Sequence, residues 1–133
     1  YQKSADPFAL PRLIQSRSLK ESISYLKKMF ESGKPDEQAF RALNQITAAA
    51  LKQYRAKLLV KAGTPKDVLF RTLRLNDYYD GNYLVELGRH KESRLVSDLE
   101  RCLAVDVSLK SKAWLNPKIE IEHLVVDLCR KSA

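Results

Sequence analysis

Residues 35–62 read PDEQAFRALNQITAAALKQYRAKLLVKA, and how far this run continues as helix decides the fold. Pro35 suits a first helical position, where a backbone N–H would find no partner anyway. Asp36 and Glu37 follow at the positive end of the helix dipole. Neither proline nor glycine recurs before Gly63, so the run predicts a helix of about 28 residues, roughly 42 Å long. At about 100° per residue, Phe40, Leu43, Thr47, Ala50, Leu51, Tyr54, Leu58 and Ala62 form one arc, expected to face the core. Leu59 lies off that arc with Arg41, Lys52 and Arg55. A leucine among bases reads either as a scattered surface residue or as part of a contact surface.

The segments on either side carry the same period. Asp6-Pro7 opens a short first helix made irregular by Pro11. Ser18 and Glu21 form the capping box SLKE ahead of Leu19, Ile23, Leu26 and Phe30. After Gly63, a threonine cap and Pro65 begin a short helix carrying Val68, Leu69 and Leu73. NDYYDGN (76–82) is a turn, and Tyr83, Leu84 and Leu87 suggest another short helix. A helix over 91–112 has an apolar face of Leu95, Val96, Leu99, Cys102, Leu103, Val105 and Leu109. A face that wide predicts a central place in the bundle. Asn116 caps a last helix over 117–130, opened by Pro117. Ile121, Leu124, Val125 and Leu128 form its main face, with Ile119 and Val126 on the other side. No β alternation persists, so the fold expected is a single all-α bundle of about six or seven helices over residues 1–133.

The joint DVSLKSKAWLNP (106–117) is read as structural. Asp106 and Lys110 can pair on one helix face, Trp114 covers the joint, and Pro117 starts the next helix.

The 133 residues suffice for an ordinary core. Cys102 and Cys129 fall on apolar faces outside any C-x-x-C pair, which predicts free buried thiols and a reducing, cytoplasmic setting. There is neither a membrane-spanning run nor a signal-peptide pattern. The chain begins with Tyr1, which leads us to expect a fragment of a longer protein. The net charge of +8 raises the possibility of a nucleic-acid partner. Yet residues 64–89, superficially a helix-turn-helix, carry Asp77, Asp80 and Glu86 where phosphates would lie.

No catalytic constellation is visible. Glu120 and His123 have the i, i+3 spacing of di-iron bundles but lack the second copy and further glutamates such a site needs. KAGTPKD does not fit the phosphate-loop frame. The reading is a non-enzymatic module with no cofactor, no metal and no small-molecule substrate.

RLVSDLERCLAVDVSLKSKAWLNPKIEIEHLVVDLC (94–129) resembles the closing two helices of the bacterial DNA polymerase III delta subunit family, with Asp106, Lys110, Pro117, Glu122, Leu124 and Leu128 on its pattern. LKQYRAKLLVKAGTPKDVLFRTLRL (51–75) is similar to that family's long basic helix, glycine stop and short helix. LKESISYLKKMFESGKPDEQAFRAL (19–43) resembles its opening helix pair. NDYYDGNYL (76–84) departs from the more basic or apolar connection of the family. The resemblance implies a C-terminal collar domain that packs beside other clamp-loader subunits in a hetero-oligomer. It implies support for loading the sliding clamp during DNA replication, with DNA contacted indirectly or weakly. The alternative is a nonspecific nucleic-acid-binding helical domain using Arg41, Lys52 and Arg55. Exposed apolar residues ringed by charge mark interfaces. The expected partner contacts are therefore Lys52, Arg55 and Leu59 in one patch and Ile119 with Val126 in a second, unless the first helix covers the latter pair.

Overall fold

The computed structural model describes residues 9–130. They form seven α-helices and no strand: α1 (Ala9–Gln15), α2 (Leu19–Glu31), α3 (Pro35–Lys61), α4 (Lys66–Leu73), α5 (Tyr83–Gly88), α6 (Glu92–Ser111) and α7 (Pro117–Cys129). The described residues are all-α, and α3, α6 and α7 lie within a residue or so of their expected bounds. The Asp6–Pro7 start of the first helix falls outside the described residues.

The helix ends show why. Asn116 accepts hydrogen bonds through Oδ1 from the backbone N–H groups of Lys118 (3.0 Å) and Ile119 (3.4 Å), which starts α7. Gly63 takes φ +80° after α3. Its N–H bonds the Val60 carbonyl at 3.0 Å, and Thr64 N–H bonds that of Leu59 at 3.0 Å. Together these make the paired ending in which a left-handed residue satisfies the last carbonyls of a helix. The SLKE box does not form. Ser18 precedes α2 without capping it, and its hydroxyl instead meets that of Ser16 at 2.9 Å. Thr64 does not cap α4 either, since Pro65 holds the N-cap position.

α3 is the axis, in contact with each of the other six helices. The expectation that α6 would be central is overturned. Of its wide apolar face only Leu95 and Cys102 are fully buried, while Leu103 is exposed. The reason lies in the α3 sequence. Its buried face is Ala39, Ala42, Leu43, Ile46, Ala50, Gln53 and Ala56, and short side chains let neighbouring helices approach closely enough to pack on several sides. This face is turned from the expected arc by roughly a third of a turn. Leu51 and Leu58, expected in the core, are exposed.

Two apolar clusters result. The larger joins α1, α2, the first half of α3, Cys102 of α6 and the buried face of α7. The smaller gathers Ala56, Leu69, Phe70, Leu73, Tyr83, Leu87 and Leu95 where α4 and α5 fold against α3 and α6.

Candidate functional site

The surface follows from how α3 and α6 are fastened. They run antiparallel, with Lys61 Nζ 3.6 Å from Glu92 Oε1 at one end and the Thr47 hydroxyl bonded to the Cys102 thiol further along. Next around each helix, on the outer side of that seam, come Leu51 and Leu58 on α3 and Leu103 and Val107 on α6. All four are exposed, and Arg55 stands exposed between the two α3 leucines. This is an apolar strip with a basic residue in it.

The residues singled out from sequence divide here. Arg55 belongs to the strip. Leu59 does not: it is half-buried against the smaller core cluster, because α4 and α5 pack on another side of α3, beside Ala56. Lys52 is also half-buried and faces another side of α3, where it lines a cleft with Arg12 of α1. Burial, the largest effect, lowers its pKa. The nearby Asp80 opposes that and Arg12 adds to it. Lys52, Arg55 and Leu59 therefore do not form one patch.

Ile119 (46% exposed) and Val126 (37%) stand one above the other on α7, with exposed His123 between their turns, and α1 does not cover them. Lys118 Nζ lies 5.7 Å from the centre of the Phe30 ring, and the Cys129 thiol meets the Ser22 hydroxyl at 3.9 Å. Those contacts set α2 on one flank of α7, and Ile119 and Val126 sit beside that flank, away from the α3–α6 seam. The second patch is separate from the first.

At the joint, Lys110 Nζ pairs with Asp106 Oδ1 at 3.1 Å on the surface, and Pro117 opens α7. Trp114 does not cover the joint, being 79% exposed. The turn closed by Leu115 N–H on the Lys112 carbonyl at 3.1 Å brings the neighbouring Leu115 to the half-buried position instead.

One polar constellation escaped the sequence reading. Asp98, 2% exposed, receives Arg17 Nη2 at 2.9 Å and Arg94 Nε at 3.1 Å. Arg17 Nη1 and Arg94 Nη2 also reach the Leu128 carbonyl, at 2.7 and 2.8 Å, and Arg94 Nη2 reaches that of Arg130 at 2.7 Å. Arg101 donates to the Asp127 carbonyl at 3.1 Å. Three guanidinium groups thus satisfy the carbonyls at the negative end of α7, where cations are favoured. One buried carboxylate partly offsets their charge. His90 is influenced by the same group. Its pKa falls chiefly through burial and next through the charge of Arg17, with Arg94 adding to the effect; a backbone hydrogen bond at Gln15 and the charge of Asp98 oppose it. A readable signal existed: Asp98 falls between Leu95 and Cys102 in the apolar stripe of α6, where an acid needs a partner.

Cys102 and Cys129 are buried free thiols, and burial pushes Cys102 up to about 11. His123 Nδ1 lies 4.0 Å from Glu120 Oε2, and among the described residues no cluster of histidine, cysteine and acidic side chains could hold a metal ion. No helix among them is long and apolar enough to cross a membrane. Compared with known proteins, the chain matches no family model, no curated protein and no solved structure.

Proposed function

We propose that this domain is a subunit-association module of the DNA polymerase III clamp-loader type, holding its parent chain beside homologous subunits while a sliding clamp is loaded. The observation that supports this most is the pair of separated apolar patches. Leu51, Leu58, Leu103 and Val107 form one across two fastened helices, and Ile119 with Val126 forms the other. A subunit seated between two neighbours needs two such faces. Apolar centres beside charged residues are also what interfaces offer before assembly. The delta-subunit resemblance supplies the class of partner. In this reading the module performs no chemistry and works in the cytoplasm, where buried Cys102 and Cys129 stay reduced.

The test is association with the purified clamp-loader subunits of the same organism, measured beside thermal stability. Leu58→Glu and Val126→Glu should each weaken binding at least about tenfold while moving stability by no more than about 1 kcal/mol, as expected for surface positions. Unchanged assembly in both variants would remove the two patches from the interface.

The alternative is nonspecific nucleic-acid binding, and exposed Arg41 and Arg55 on α3 favour it. It demands a duplex affinity that falls linearly with salt on logarithmic axes. A steep slope with tight binding at physiological salt would displace the association reading.

A further inference from the structure

The outer sides of α3 and α6 repeat one spacing. On α3, Ala48, Leu51, Arg55 and Leu58 follow at steps of three, four and three, and all four are exposed. On α6, Val96, Glu100, Leu103 and Val107 follow at steps of four, three and four; Val96 is half-buried and the rest are exposed. Alternating steps of three and four set residues along one side of a helix, and such a side is the seam on which helices pack lengthwise. Here two seams lie next to each other on antiparallel helices and both open to solvent. Two antiparallel helices with open seams are half of a four-helix bundle.

We infer that the other half is a second copy of this chain, docked about a two-fold axis parallel to the helices, so that α3 of each copy lies on α6 of the other. That symmetry preserves level along the axis. A residue on α3 therefore meets, in the second copy, the stretch of α6 that stands level with it in its own. Lys61 is level with Glu92 and Thr47 with Cys102, which fixes the levels between them. Leu103 then meets the small Ala48, and Leu58 meets the small, exposed Ser93, so bulk faces a gap at both ends of the strip. Arg55 comes within about one turn of Glu100, roughly 6 Å along the axis, which a guanidinium spans. Among the described residues neither Arg55 nor Glu100 takes part in an ion pair. Opposite charges thus meet across the axis at two symmetric places. An unrelated partner would have to supply each of these matches separately, whereas a second copy supplies them by symmetry. The inference rests on the association reading only in taking this strip as an interface. A face two helices wide and a few turns long is at the small end of stable interfaces, so the dimer belongs to the micromolar range.

The experiment is sedimentation equilibrium of the whole 133-residue chain at concentrations from about 5 to about 500 μM, bracketing that range. A monomer–dimer equilibrium is expected, and Leu103→Glu, at a position 57% exposed, should abolish it while the helical circular-dichroism spectrum stays unchanged. Arg55→Glu and Glu100→Arg should each weaken dimerisation about tenfold, and the double exchange should restore it to within about threefold of the original. The inference is overturned if the chain stays monomeric throughout, if Leu103→Glu dimerises normally, or if the double exchange recovers nothing. A chain that stays monomeric yet binds purified clamp-loader subunits removes the second copy and leaves the association reading standing. A chain that dimerises through the strip but ignores those subunits upholds the second copy and removes the clamp-loader partner.

Discussion

Arg17 and Arg74 end helices in the same way and meet opposite fates. Each sits in the left-handed conformation, at φ 59° and 56°. At each the following N–H reaches five residues back, Ser18 to Leu13 at 2.9 Å and Leu75 to Phe70 at 2.8 Å. That position ordinarily favours glycine. At the α1–α2 turn the arginine side chain is buried on Asp98 and the end of α7, so its contacts offset the backbone strain. At the end of α4 the guanidinium stands exposed beside an open cleft, and among the described residues no side-chain ion pair adds to the backbone bonds that hold the turn. The larger cluster is a finished core with a buried polar clamp. The smaller cluster ends in an unpaired tyrosine hydroxyl and a cavity. Identical local geometry therefore says little about energy until the side chain's destination is known.

The strongest way to break this contrast is Asp98→Ala. It strips the carboxylate from two guanidinium groups that remain largely buried, and should destabilise the fold by about 3–5 kcal/mol, read as a lower urea midpoint. A loss below about 1 kcal/mol would show that the clamp is dispensable.

Next in size is the paired substitution of the two arginines by glycine. Arg17→Gly relieves strain but removes charge-assisted bonds worth about 1.5–3 kcal/mol each when made to charged groups, so a net loss is expected. Arg74→Gly relieves the same strain at no such cost and should leave stability equal or higher. Equal losses at both sites would erase the distinction drawn between them.

A smaller effect concerns pH. His90 has its pKa lowered in the folded state, chiefly by burial and then by Arg17, so the unfolded chain binds its proton more readily. Stability therefore rises with pH through the range below about 6.5, the ordinary histidine value, and is fully present above it. Melting curves between pH 5 and pH 7.5 should show this rise, and His90→Gln should flatten it. An unaltered slope in the variant would assign the dependence to other groups.

The smallest expected effect is on reactivity alone. With its thiol raised to about 11 by burial, Cys102 should resist iodoacetamide at pH 8 in the native state and react once the chain is unfolded. Rapid native labelling would mean that the α3–α6 seam opens readily.

Sequence by itself determined the class of fold and the bounds of the long helices, because their start and stop signals are local. Pro35, Gly63, Asn116 and Pro117 act on the backbone within a few residues of themselves. What it could not determine was the rotation of α3 about its own axis. Counting apolar side chains favoured Leu51 and Leu58 over Ala39, Ala42 and Ala56. Tertiary packing chose the alanines, since close approach of several helices gains more contact than burial of two leucines on one side. That choice turned Leu51 and Leu58 out, while the packing of α4 and α5 on another side of α3 covered Leu59 and left Lys52 over a cleft. It also gave Trp114 to solvent and Leu115 to the joint. Asp98 shows the same limit at longer range. Its partner Arg17 lies 81 positions away, and only the folded chain brings an acid and a base so distant in sequence into one buried pair.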